Sequence, residues 1–173
     1  MAHNNVWANA RLHGAVGTLD AVAYRAPRTN FFPSLHLTLS HILFVDLYVD
    51  ALVAGGRGAT LWPELEAFER DGELAELTQR QRAVDVQLIA VADALRADDL
   101  AATVSLERSD HVQVETRADV LLHLFEHQLH HRGQAHAMLS ETPVPPPQLD
   151  EFFLREELPL REAELRALGL PLR

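Results

Sequence analysis

Apolar positions recur with helical spacing along most of the chain. Over residues 4–26, Trp7, Leu12, Ala15, Leu19 and Ala23 form a stripe close to the 3.6-residue period, which predicts a first helix closed by Pro27 and Thr29-Asn30. Ser34, directly after Pro33, has the chemistry of an N-cap. A second helix is expected from there to about Ala54, with Leu37, His41, Phe44 or Val45, Tyr48 and Leu52 on one face. Gly55-Gly56-Arg57-Gly58 stops it; the trio follows a helix and lacks the Gly-Lys-Ser/Thr ending of a phosphate loop, so it reads as a helix terminus. Trp62-Pro63-Glu64 opens a short acidic helix, and Leu74, Leu77, Val84, Leu88, Val91 and Leu95 mark a third long helix over residues 73–95, closed by Asp98-Asp99. Short β-favouring runs at 102–106 and 112–115 predict a small hairpin or extended crossover around Arg108-Ser109-Asp110.

Thr116, with Asp119 three residues on, gives a capping-box-like start to a fourth long helix that continues to about Ser140, about 36 Å at 1.5 Å per residue. The prolines from Pro143 to Pro147 end it, and a short amphipathic tail follows from Leu149. Four long helices with short connections predict an all-α, antiparallel four-helix bundle, the architecture in which sites form from side chains on facing helices. With no internal repeat or long linker, residues 1–173 are expected to form one domain.

Composition narrows the chemistry. Twenty-five acidic residues against fifteen basic ones leave a charge of -10, and every basic residue is an Arg set singly among carboxylates. Such a chain offers no basic stripe for nucleic acid or an anionic membrane surface. The absence of Cys excludes disulfides, thiolate nucleophiles, Cys-type zinc sites and iron-sulfur clusters. Residues 1–12 lack the apolar run of a signal peptide, and even residues 42–54 are broken by Asp46 and Asp50, so no membrane span and a cytoplasmic location are expected.

The unusual feature is histidine: ten copies, five of them between His123 and His136. His123, His127 and His131 are four apart, so successive members are displaced by about 40° and form a row on the fourth helix. Val120, Leu124, Ala135 and Met138 put an apolar face at the angle of His127 and His131, which directs both inward. Buried imidazoles need partners, and a divalent metal satisfies two at once. His41 on the apolar face of the second helix supplies a third ligand. Three neutral His suit Zn²⁺, Fe²⁺ or Ni²⁺ and leave open positions, whereas a satisfied core-histidine network explains the same spacing without metal. His123 is placed beside the pocket, His130 and His136 off the row as solvated or capping groups, and His3, His13, His36 and His111 on the surface. Glu126 lies about 100° round the helix from the row, on a solvated face, and no catalytic residue is assigned.

The segment His127-Gln128-Leu129-His130-His131-Arg132-Gly133-Gln134 resembles the HxxHHRGQ signature of the DinB/YfiT-like family. Three further segments agree in order: Asn5-Val6-Trp7-Ala8-Asn9-Ala10-Arg11-Leu12, Leu39-Ser40-His41-Ile42-Leu43-Phe44-Val45-Asp46 and Pro145-Pro146-Pro147-Gln148-Leu149-Asp150. The resemblance implies a four-helix bundle with a long crossover, a homodimer, and one divalent metal held by His41, His127 and His131. It also implies that Arg132 and Gln134 tie the fourth helix to its neighbours or orient the ligands, and that Gly133 admits a close helix; Asp46, about 140° from His41, is left out of the site. Relatives of that family include transferases using low-molecular-weight thiols and a maleylpyruvate isomerase. The expected functions are therefore a metal-dependent transferase or hydrolase acting on a small molecule, with any thiol supplied by a cosubstrate, or a non-catalytic metal-binding stress-response bundle acting through a dimer or partner surface.

Overall fold

Four helices carry the core: α1 (Ala2–Val16), α3 (Leu35–Asp46), α6 (Leu74–Ala94) and α7 (Arg117–Leu139). The structure is a computed structural model and describes residues 1–54 and 61–172; the predicted glycine stop at 55–58 lies outside them. Shorter elements connect the four: α2 (Ala21–Arg25), α4 (Val49–Ala54), α5 (Trp62–Asp71), a 3-10 turn (Ala97–Ala101), strands β1 (Thr103–Glu107) and β2 (Val112–Thr116), and α8 (Leu158–Leu168). The fold is mostly helical with one small antiparallel hairpin, whose register pairs Thr103 with Thr116 and Glu107 with Val112.

Local chemistry sets the boundaries. The Ser34 hydroxyl accepts the Leu37 amide at 3.1 Å and Thr116 accepts that of Asp119 at 3.1 Å, so both predicted caps start their helices. Two predicted helices are shorter than their apolar stripes. The first ends at Val16, where the Thr18 hydroxyl donates back to the Ala15 carbonyl at 2.7 Å. The chain restarts at Ala21 because Asp20 caps the Ala23 amide. The second ends at Asp46, and Tyr48 donates its amide to the Val45 carbonyl in a tightened turn before α4. Residues Leu35–Val53 are, by length and composition, apolar enough to cross a membrane, contrary to the expectation from Asp46 and Asp50; 67% of that window is buried inside the protein.

Helix α3 packs against α6 and α7, and α1 against the same two helices. Leu12, Leu35, Leu39, Leu43, Leu77, Leu88, Leu124 and Leu139 fill the space between them, each worth about 1.5–3 kcal/mol of burial. A second cluster joins Val6, Trp7 and Ala8 of α1 to Phe152, Leu165 and Leu170, which docks the C-terminal tail. The Trp7 indole N–H donates to Glu164 at 2.8 Å, and the Arg11 guanidinium lies 4.4 Å from the Trp7 ring while pairing with the same carboxylate. Helix α8 ends at Gly169, whose φ of 70° is cheap only for glycine and lets the Leu170 amide reach the Leu165 carbonyl at 2.8 Å.

Candidate metal centre

Two helices supply three imidazoles. His127 and His131, one turn apart on α7, face His41 of α3 across the most extensive helix pair of the core. The Nε2 atoms of His41 and His127 are 2.9 Å apart, and the His131 ring centroid lies 4.7 Å from that of His41 and 4.3 Å from that of His127. One coordinating atom from each of the three can be chosen so that all lie within 4.8 Å of one another.

The set fits a metal. Two bonds of about 2.0–2.1 Å to a common zinc ion span at most about 4.2 Å between ligand atoms, so the closest pair satisfies that limit and the third atom lies within side-chain adjustment of it. Two Nε2 atoms at 2.9 Å either share one N–H or point two lone pairs at a common cation. The Nδ1 of His127 is buried with no hydrogen-bond partner. Burial, then the neighbouring His131, pushes the pKa of His41 down to about 4 and that of His127 down to about 3. His131 is also lowered, chiefly by burial. At neutral pH all three are therefore neutral bases with lone pairs to give.

Second contacts orient the set. Gln134 accepts at Oε1 from the His131 Nδ1–H at 2.7 Å, while its own amide N–H₂ faces His130 Nε2 at 3.1 Å. That fixes the His131 tautomer and leaves its Nε2 lone pair free, the role expected for Gln134. Phe32 stacks on His41 at 4.2 Å and meets the His131 ring edge-on at 5.6 Å, so one side of the site is apolar. A cavity of about 20 Å³ lined by His41, Phe44, Tyr48 and Trp62 adjoins it. His123 is exposed, with its ring 5.6 Å from His127; Glu126 is exposed as expected.

Several other placements differ from the sequence reading. His13 and His36 are buried, not on the surface: His13 meets the Thr78 hydroxyl at 3.0 Å, and His36 donates from Nε2 to the Glu69 carbonyl while Nδ1 accepts from Tyr24. Their partners lie on other elements, out of reach of a spacing argument. Gly133 is exposed, and a Cβ at that position would meet nothing within 4 Å; instead of a close helix it borders a groove of about 520 Å³ against residues 146–150. His136 lies off the row as expected and meets the Pro147 carbonyl at 3.0 Å. His111 is exposed beside Asp110.

A second polar cluster was not anticipated. Asn5 and Asn9 of α1, Asp46 of α3, Gln81 and Asp85 of α6, and Gln128 and Arg132 of α7 are all buried. Arg132 donates from Nη1 to Asn5 Oδ1 at 2.5 Å, Asn9 Oδ1 at 3.1 Å and Gln128 Oε1 at 2.9 Å, which ties α7 to α1 as the resemblance implies. Asn9 donates to both oxygens of Asp85, and Gln81 donates to Asp46 at 2.7 Å and to Asp85 at 3.3 Å. The Gln128 amide also donates to Asp46. Burial, then the Asp85 carboxylate, raises the Asp46 pKa well above the carboxylate range, and burial raises that of Asp85 to about 6. Burial lowers Arg132 only to about 10, so it stays cationic at neutral pH. The sequence signals for this cluster were Arg132 in the HxxHHRGQ segment and Asp46, a carboxylate inside an apolar helix.

Against known proteins, a family model described as the DinB family matches residues 1–162. No curated protein matches the chain.

Proposed function

The chain belongs to the DinB family, and from that premise we propose that it binds one divalent metal ion, Zn, Ni or Fe, through His41, His127 and His131 and uses it on a small-molecule substrate. The observation that carries this reading is the convergence of three neutral imidazoles from α3 and α7, with His41 and His127 meeting nitrogen to nitrogen at 2.9 Å. When bound at a three-His site, such a cation supplies a Lewis acid that lowers the pKa of a coordinated water or thiol. The chain's own part is to hold the ligands neutral by burial, to fix the His131 proton on Nδ1 through Gln134, and to screen one side of the site with Phe32. The chemistry in this reading is of the thiol-dependent transferase or hydrolase type, and with no Cys in the chain its thiol would have to come from a low-molecular-weight cosubstrate.

The cyclic packing of α1 on α6, α6 on α3, α3 on α7 and α7 on α1 supports reading these four as an antiparallel four-helix bundle. A homodimer belongs to the same reading; Leu122 and Leu129, exposed seven residues apart on α7, favour an outer contact there.

Elemental analysis of untagged protein purified without a nickel column tests the metal. About one ion per chain is expected, lost in His41→Ala; no ion after reconstitution with zinc would overturn the reading. One observation favours a second, non-catalytic role as a metal-binding bundle: the cavity beside His41 is about 20 Å³. That volume suits about one water, whereas small-molecule pockets run from about 300 Å³. A thiolate-to-cobalt absorption band on adding a small thiol to the Co²⁺-loaded protein would favour the enzyme, and its absence the non-catalytic bundle.

A further inference from the structure

We propose that Asp46 and Gln128 are positioning residues of the three-histidine site, setting the rotation of α7 so that His127 and His131 face His41. The inference rests on the metal-binding reading above. Gln128 follows His127 in the chain, so its side chain leaves α7 about 100° away from that imidazole. It is fully buried and both ends of its amide are used: Oε1 accepts from Arg132 at 2.9 Å, and Nε2 donates to Asp46. Asp46 sits on α3, the helix that carries His41. Helices α3 and α7 are thus tied twice, once through the imidazoles and once through Asp46 and Gln128.

The second tie matters because a single contact leaves a helix free to turn about its axis. At a radius of about 6 Å, a turn of about 10° carries a ligand atom about 1 Å, against a tolerance of about 0.2 Å in metal-ligand distances. Asp46 is held from a third direction by Gln81 of α6 at 2.7 Å, so the anchor does not swing with α7. What positioning needs from residue 46 is an acceptor and not a charge. Asp46 Oδ1 and Gln81 Oε1 are both buried without partners. An Asn at 46 keeps the acceptor for Gln81 and Gln128 and puts an N–H₂ where the idle oxygen stands.

Co²⁺ titration of the full chain, read by the visible d–d bands, tests this. Gln128→Met keeps the volume and removes the tie; Asp46→Leu removes it from the other side. Both are expected to stay helical by circular dichroism, to bind Co²⁺ at least tenfold more weakly and to show altered bands. Asp46→Asn is expected to restore wild-type affinity and bands. Met138→Ala, a buried truncation on the same face of α7 about two turns beyond His131, is expected to leave the bands unchanged. Wild-type bands and affinity in a folded Gln128→Met or Asp46→Leu would overturn the proposal, as would equal loss in Met138→Ala. Failure of both variants to fold would assign the pair to fold stability and overturn it too. Absence of Co²⁺ uptake by the wild type would sink the metal reading itself, which separates the two failures.

Discussion

On one flank of α7, His127 and His131 meet His41 with little hydrogen bonding to spare; on the other, Gln128 and Arg132 sit in a lattice of amides and carboxylates in which almost every donor has an acceptor. Both flanks hold groups with displaced pKa values, so a shift alone does not tell a ligand site from a scaffold. What separates them is how the lone pairs are used. His41 and His127 turn ring nitrogens on each other and the His131 Nε2 lone pair is left free, whereas the Asp85 oxygens are taken by Asn5, Asn9 and Gln81. The remaining idle acceptors of the lattice are Asp46 Oδ1 and Gln81 Oε1, and a proton held on Asp46 turns one acceptor into a donor. Unused lone pairs on neutral bases mark where a cation fits; saturated ones mark what holds the helices.

The largest effect should come from breaking the saturated side. Arg132→Met leaves Asp85 buried without the cation that its Asn5 and Asn9 relays face, and metal-free stability in urea should fall by about 3–5 kcal/mol. A loss under about 1 kcal/mol would show that the lattice is not the fold's electrostatic anchor. Breaking the unsaturated side should do the converse. His131→Ala is expected to remove stoichiometric metal while the metal-free protein stays folded, and a variant that retains one ion per chain would reject the ligand set.

The buried imidazoles and the buried carboxylates also carry opposite pH slopes. His13, His41 and His127 have folded pKa values of about 4, 4 and 3, below the unfolded value of about 6.5. Between about 6.5 and 4 the unfolded chain binds protons that the native chain refuses, so their contribution is complete above 6.5 and is lost on acidification. Asp85 runs the other way: raised from 3.8 to about 6, it stabilises the native state at low pH and loses that contribution as pH rises through 6, and Asp46, raised well above its ordinary value, has a slope of the same sign. The more numerous imidazoles should win. Urea stability of the metal-free protein is expected to fall from pH 6.5 to 4, and to fall more steeply in Asp85→Asn, where one of the two opposing contributions is gone. A flat wild-type profile would mean that the native imidazoles protonate freely.

Local signals carried much of this into the sequence. The Ser34 and Thr116 caps, the hairpin and the length of α7 are properties of neighbouring residues, and so is the i, i+4 spacing of His127 and His131. The breaks at Val16 and Asp46 were not legible from the stripe, because apolar residues continue on both sides; the Asp20 cap was the one local hint for the first. His13, His36 and the Asp46 lattice depend on partners such as Thr78, Glu69, Gln81 and Gln128, each on another element, and no periodicity reports them. His41, the third candidate, was reachable from the apolar face of its helix and from the Leu39–Asp46 segment that carries the family resemblance.

The smallest effects sharpen the boundary of the unsaturated flank. Gln134 touches His131 Nδ1 at 2.7 Å and neither of the other two candidate rings, so Gln134→Leu should weaken metal binding by about 10–100-fold without abolishing it, as removal of an orienting contact does. His136 lies five residues after His131 and spends its Nε2 on the Pro147 carbonyl, which holds the tail segment and not the metal. His136→Ala should therefore leave metal content and affinity unchanged and cost about 0.5–1.5 kcal/mol of stability, the worth of one hydrogen bond. If His136→Ala weakened metal binding as much as Gln134→Leu, the distinction between imidazoles that face α3 and those that merely share α7 would fail, and metal affinity would belong to the histidine density of the helix as a whole.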